Sequence, residues 1–151
     1  MIGSINGIGN ITEYAEFNAY YDPEAFKIVA ESNIPLVFNT IEVGLKCRFN
    51  KNRVEKELAN SNTQLTLKTM INGMTEPDDE NTICLFDPCS FLSLDKPEFF
   101  NFINTDIEVF ADNTTPGKSI LTPNLAAKNV YIVPKDTKAI ENYILSELKK
   151  L

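Results

Sequence analysis

Residues 22–38, DPEAFKIVAESNIPLVF, decide the fold class. Asp22 stands where a helix N-cap belongs and Pro23 at the first helical position. Glu24 lies in the turn whose free N–H groups favour negative charge. Ala25, Ile28 and Val29 recur at helical spacing, so the helix runs to about Ser32 with these three facing inward and Phe26 on the flank. It stops at Asn33. Ile34-Pro-Leu-Val-Phe38 follows at once and reads as a strand. A helix that passes into a strand through so short a turn is an α/β unit.

Downstream, residues 50–60 read as a second helix with Val54 and Leu58 inward, and residues 65–71 as a third that ends at Gly73. TEPDDEN at 75–81 is an acidic, solvated turn that lacks the alternating ligands and glycine of a calcium loop. Asp87-Pro88 repeats the N-cap and first-turn signal and opens a helix to about Leu94. Short strands at 106–111 and 118–121 flank Thr114-Thr-Pro-Gly117 in a hairpin pattern, and 129–133 is another strand. Asp136 caps a last helix, along which Ile140, Ile144, Leu145, Leu148 and Leu151 recur at helical spacing. The aromatic cluster Phe99, Phe100 and Phe102 belongs to the core.

The chain has 151 residues, enough for one domain with a real core. Its net charge of −7 argues against a nucleic-acid partner, since phosphate binding needs clustered Lys and Arg. No apolar run approaches the roughly 20 residues that span a bilayer, and the N-terminus lacks a basic region followed by an apolar one. Neither a membrane nor a secretory route is expected. Cys47, Cys84 and Cys89 are odd in number and not closely spaced, which fits neither a disulfide framework nor a zinc site. A reducing, cytoplasmic setting is expected. The chain contains no histidine, so no mechanism that needs an imidazole resides in it.

Residues 9–22, GNITEYAEFNAYYD, carry the best candidates for chemistry. Glycine- and asparagine-rich loops of this kind often bind ligands. Asn10, Glu16 and Asn18 combine two amides with a carboxylate. A carboxylate accepts from two hydroxyls, and an amide donates once and accepts once, which suits a polyhydroxylated ligand such as a ribose. The same spacing also fits a turn asparagine and a solvated glutamate. Asp87 has the ordinary reading of a helix cap and the further one of a single ligand to a hard cation. Cys89, one turn into that helix, fits small-residue packing better than a reactive thiol.

GNITEYAEFNAYYDPEAFKIV resembles the central signature of the inosine–uridine-preferring nucleoside hydrolase family. The glycine loop, Asn10, Ala15-Glu16-Phe17-Asn18 and Asp22-Pro-Glu-Ala25 occur in the family's order. Leu85-Phe86-Asp87-Pro88 resembles its Leu-His-Asp-Pro element. The segment Asp106-Ile-Glu-Val109, Gly117, Asn129-Val130 and the final helix follow its C-terminal pattern. The likeness is weakest from about Gly44 to Asn81. It implies the C-terminal portion of a Rossmann-like open mixed sheet with flanking helices, as a single partial domain over residues 1–151. It also implies hydrolysis of the N-glycosidic bond of a ribonucleoside, in nucleoside salvage, through an oxocarbenium-like state. A calcium ion would hold the attacking water and the ribose diol.

Carried over by motif position, Asn10, Glu16 and Asn18 bind ribose hydroxyls, and Phe17 packs beside the sugar. Asp87 ligates calcium and contacts the ribose. Two departures matter. The family's N-terminal Asp-x-Asp-x-Gly-x-Asp-Asp motif, which supplies most calcium carboxylates and the base, is absent. A threonine carbonyl ligand is also expected upstream of Met1. The chain thus reads as about the C-terminal half of such a protein, inactive alone or dependent on an N-terminal complementing segment, with oligomerisation as another way to cover its open side. Phe86 occupies the position where many members have a histidine that protonates the leaving base. Phenylalanine cannot donate that proton, though it can stack on a base. The competing expectation is a non-catalytic remnant, or a module that binds ribose or nucleoside.

Overall fold

A computed structural model describes Gly3 and residues 5–59, 64–74 and 79–150. The expected Leu151 contact and part of the acidic turn, residues 75–78, lie outside the described residues. Seven α-helices and six strands follow one another along them, with a short 3-10 turn at Pro97–Phe99. They are α1 (Phe17–Tyr21), α2 (Pro23–Ala30), β1 (Val37–Phe38), α3 (Ile41–Lys46), β2 (Arg48–Asn50), α4 (Lys51–Glu57), α5 (Gln64–Gly73), β3 (Thr82–Cys84), α6 (Phe86–Asp95), β4 (Phe100–Val109), β5 (Ser119–Pro123), β6 (Val130–Pro134) and α7 (Thr137–Leu148).

The main sheet has the order β1-β6-β4-β5. β1 runs parallel to β6, and β4 runs antiparallel to both β6 and β5. This is the expected open mixed sheet with flanking helices. β4 serves two partners in turn: its first five residues pair with β6 and its last five with β5. Thr105 sits at the changeover, fully buried, with its hydroxyl donating to Thr122 O at 3.1 Å. β2 and β3 form a separate antiparallel ribbon, Arg48 opposite Cys84.

Two apolar clusters cover the sheet. The larger joins Phe100 and Ile132 to Val43, Cys89, Ile140 and Leu145 of α3, α6 and α7. The smaller gathers Phe38, Leu121 and Tyr131, with Phe26 of α2 against them. The caps expected at Asp22 and Asp136 form, and Asn50 proves to be a third: each side chain accepts from a backbone N–H in the first turn of its helix. Val54 and Leu58 face inward as expected.

Four expectations need correction. α2 turns Phe26 and Ala30 inward, because it lies against β4 and Lys27 Nζ reaches Val109 O at 3.0 Å. The stripe of Ala25, Ile28 and Val29 exists but faces solvent, Ile28 being 72% exposed. Asp87 is not an N-cap: the cap position is Leu85, and Asp87 sits inside the first turn of α6. The strand expected at 106–111 begins six residues earlier, at Phe100, and ends at Val109; Phe102, on the same face as the buried Phe100, is 38% exposed rather than in the core. The strand expected at 34–38 is confined to Val37–Phe38, since Leu36 N–H is taken by the Asn129 side chain.

Candidate functional site

The loop 5–15 folds onto itself before α1. The N–H groups of Asn10, Ile11 and Thr12 all point at Ala15 O, at 3.0–3.4 Å, and Thr12 Oγ1 accepts from Ala15 N–H at 2.9 Å. Gly9 makes this possible: a Cβ there would lie 2.1 Å from Ala15 O. The Thr114-Thr-Pro-Gly117 turn buttresses the other side. Gly117 has φ +81°, and a Cβ on it would stand 2.5 Å from Ala19 O in α1. Both glycines therefore mark close backbone approaches that fix where α1 starts.

The structure brings Asn10, Glu16 and Asn18 together at that start. Asn10 Oδ1 accepts from Phe17 N–H at 3.0 Å. Glu16 is the N-cap of α1; its Oε2 accepts from Asn18 N–H at 2.9 Å and Ala19 N–H at 3.4 Å. Its Oε1 accepts from Asn18 Nδ2 at 3.0 Å. Glu16 is withdrawn from solvent, at 1% exposure, while Asn10 and Asn18 are exposed. Among the described residues, Asn10 Nδ2 and Asn18 Oδ1 make no intramolecular hydrogen bond. One side of the cluster thus offers a donor and an acceptor to solvent, each orientation fixed by the other end of its amide. Beside them Phe17 is half exposed, its ring centroid 4.5 Å from that of Tyr21.

Asp87 is exposed, and no described hydrogen bond or ion pair joins it to this cluster. The link is indirect and runs through the end of β1. Asn39 Nδ2 donates to Phe86 O and Ser90 Oγ, both at 2.6 Å, which ties the head of α6 to β1. Three residues on, Glu42 Oε1 accepts from Ile5 N–H at 3.0 Å and ties the loop before α1 to the same corner. Both groups are thus anchored at the carboxyl end of a parallel strand, where open α/β sheets place their ligands. Asn39 Oδ1, Thr40 Oγ1 and Glu42 Oε2 are buried there without a hydrogen-bond partner.

Phe86 is part-buried and its ring is not free on the side that faces α3. Its ring lies on Gly44 of α3, where a Cβ would sit 1.9 Å from Cδ1. Cys89, fully buried, shares a thiol hydrogen bond with Cys47. That bond and burial push the Cys89 thiol above its ordinary range. The helix position that lowers a thiol pKa elsewhere is overridden, in line with packing rather than reactivity. The contact between two cysteines 42 positions apart was invisible in their spacing. The role of Gly44 was also unseen, because the helix that carries it, α3, was not read from the sequence.

The family model for inosine-uridine preferring nucleoside hydrolase matches residues 1–141. The pyrimidine-specific ribonucleoside hydrolase RihA of Citrobacter koseri is 33% identical over 124 residues, covering 78% of this chain and 38% of the relative. RihA of Escherichia coli is 33% identical over the same length, covering 39% of that protein. Among solved structures, a plant nucleoside hydrolase superposes with a TM-score of 0.84 at 18% identity, over 99% of this chain and 51% of that one. The purine-preferring ribonucleoside hydrolase of Gardnerella vaginalis gives 0.83 at 18% identity, over 98% and 49%. The chain spans about two fifths of the length of its curated relatives and about half that of its structural neighbours. With the signature at residues 9–25 lying inside the matched region, the chain belongs to the inosine–uridine preferring nucleoside hydrolase family.

Proposed function

We propose that the chain forms the ribose-binding wall of a nucleoside N-ribohydrolase, which splits a purine or pyrimidine ribonucleoside into base and ribose. The supporting observation is the hydrogen-bonded set at the start of α1. Asn10 Nδ2 faces outward as a donor and Asn18 Oδ1 as an acceptor, matching a pair of adjacent hydroxyls. Glu16 clamps the Asn18 amide and so sets its direction. Phe17 offers an apolar face to the sugar ring. Asp87 adds a carboxylate anchored, through Phe86 and Asn39, to the same strand end.

Catalytic groups come from elsewhere in this reading. Phe86 has no proton to give the leaving base. Calcium, implied by the family resemblance, takes about 6–8 oxygen ligands. Among the described residues no three of His, Cys, Asp and Glu stand together. The chain's own donors do not fit a calcium site, Asp87 being at most one ligand, and no step through the metal is assigned to it. A complementing segment, or an oligomer that closes the open side, supplies what is missing. The three buried cysteines, none of them in a disulfide, fit a reducing, cytoplasmic setting. Among the described residues no helix is long and apolar enough to cross a membrane.

The test is direct. The purified chain, given calcium and inosine or uridine, is expected to release no base. Uridine is expected to shift the amide resonances of Asn10 and Asn18 more than 2′,3′-dideoxyuridine does. Base release by the chain alone, or equal shifts from both ligands, overturns the reading. The packing of Phe86 on Gly44 favours a second one, a module that binds ribonucleoside without hydrolysing it. Binding retained but no base released, even with a complementary half and calcium supplied, would establish that version.

A further inference from the structure

We propose that Asn6-Gly7, in the loop that leads to Asn10, is a site of spontaneous deamidation, and that its isoaspartyl product shifts that loop off its anchors. Of the six glycines in the chain, two follow an asparagine, at Asn6-Gly7 and Asn72-Gly73. Glycine hinders attack on the preceding side chain less than any other residue, because it has no Cβ. The fold treats the two pairs differently. Asn72-Gly73 ends α5. In a helix each backbone N–H is committed to the C=O four residues back, and ψ is held at about −42°. Both restrain the Gly73 nitrogen, which would be the attacking atom.

Asn6-Gly7 lies outside helix and strand. Among the described residues none accepts the Gly7 N–H, and none bonds the exposed Asn6 side chain. The glycine itself is fixed by the turn. Its φ is +75°, in the left-handed region, and a Cβ would stand 3.2 Å from both Lys118 Cε and Ser119 O. The turn therefore places the most permissive neighbour after an asparagine that nothing described restrains.

The reaction needs only water and hydroxide. Hydroxide removes the Gly7 amide proton, and the nitrogen attacks Asn6 Cγ. The new C–N bond closes a cyclic imide. The Cγ–Nδ2 bond breaks, and Nδ2 leaves as ammonia with a proton from water, which restores the hydroxide. Water then opens the imide. Cleavage between Cγ and the Gly7 nitrogen gives aspartate. Cleavage at the Asn6 carbonyl carbon gives isoaspartate, in which the chain runs through Cγ. In sum, one asparagine and one water become one carboxylate and one ammonium ion.

The loop has no slack for the extra backbone carbon of isoaspartate. Upstream, Ile5 N–H donates to Glu42 Oε1 at 3.0 Å, and Ile5 O accepts from Leu121 N–H at 3.3 Å. Downstream, Gly9 N–H donates to Glu13 O at 3.1 Å, and Gly9 approaches Ala15 too closely to carry a Cβ. Lengthening the chain between two fixed points displaces one of them. The inference is independent of the ribose-binding reading, since no nucleoside enters its assay.

The full chain is aged at mildly alkaline pH, native and in urea. Peptide mass spectrometry locates each amide that has become an acid. Protein isoaspartate methyltransferase with labelled S-adenosylmethionine counts isoaspartate. The native chain is expected to convert at Asn6 several-fold faster than at Asn72, and the difference is expected to vanish in urea. Asn6→Gln is expected to abolish the methyl label at that position and leave the melting point unchanged. In the aged chain, hydrogen exchange at the Ile5 and Gly9 amides is expected to quicken. No conversion at Asn6 in the native chain, conversion at Asn72 as fast as at Asn6, or aspartate without isoaspartate overturns the proposal. So does isoaspartate at residue 6 with unchanged exchange at Ile5 and Gly9.

Discussion

Replacing Gly44 by alanine tests whether the ring of Phe86 is locked against α3. Two effects oppose each other. Gly44 lies inside the six-residue helix α3, where alanine is favoured by about 1 kcal/mol on backbone grounds. The added Cβ, however, would stand 1.9 Å from Phe86 Cδ1, 2.1 Å from Cε1 and 2.6 Å from Cγ. Carbon atoms in contact rest at about 3.5–4.0 Å, so the ring or the helix must move by more than an ångström. Because Cγ is among the clashing atoms, a swing of the ring's far end does not relieve it. Overpacking of this kind costs about 1–3 kcal/mol. The clash here is at the severe end, so the net effect is a loss of about 1–2 kcal/mol, or a melting point lower by about 2–8 °C for a chain of this size.

The double-mutant cycle is the sharper measurement. In a Phe86→Ala background the ring is gone and only the helix preference remains. Gly44→Ala is then expected to stabilise by about 1 kcal/mol, reversing its sign. The coupling between the two positions is about 2–3 kcal/mol, read from urea unfolding of the four proteins by circular dichroism. An equal loss from Gly44→Ala in both backgrounds would refute the packing argument. It would also remove the reason for saying that one side of the Phe86 ring is unavailable to stack on a base.

Glu16→Ala strips the N-cap from α1 and leaves the buried Ala19 N–H without an acceptor; a loss of about 2 kcal/mol is expected in urea unfolding, together with broadening of the Asn18 side-chain amide resonances. A loss in stability without any change at Asn18 would show that Glu16 does not orient that amide. The ion pairs that Glu57 makes with Lys149 and Arg53 hold its carboxyl below the ordinary carboxylate range. A depressed folded pKa contributes stability above the unfolded value, about 4.3, which is lost as pH falls through the folded value. Glu57→Gln is therefore expected to flatten the acid limb of the stability profile below about pH 4.3, with little change between the two proteins once both carboxyls are protonated. Native chain treated with iodoacetamide at neutral pH is expected to stay unmodified at Cys47, Cys84 and Cys89, all buried, until it is unfolded; rapid labelling of Cys89 in the folded chain would contradict its raised pKa.

Local chemistry made much of the fold readable. Asp22, Asn50 and Asp136 cap helices because a short polar side chain can satisfy a first-turn N–H without tertiary help. The strand partners were harder. β4 was read as starting at Asp106 because its first half, FNFINT, looks like a core cluster. The pairing shows instead that Phe100 and Phe102 share one face of a single strand, with Phe100 buried in the larger cluster and Phe102 at its part-exposed margin. Asp87 shows a different failure. Asp-Pro is a cap signal wherever the aspartate precedes the first helical residue. Here Cys89 N–H donates to Leu85 O at 3.2 Å, so the helix already runs from Phe86 and the cap falls on Leu85.

The α2 stripe carries the most information of these. Its spacing was read correctly as a helix and incorrectly as the inward face, and both outcomes have one cause. Periodicity reports which residues need an apolar neighbour and is silent about whether that neighbour belongs to the same stretch of chain. Phe26 and Ala30 find theirs on the sheet. Ile28 and Val29 find none. The same holds at the site, where Asn10, Glu16 and Asn18 are held ready by bonds within residues 10–19 while Asp87 is tethered to them only through the end of β1.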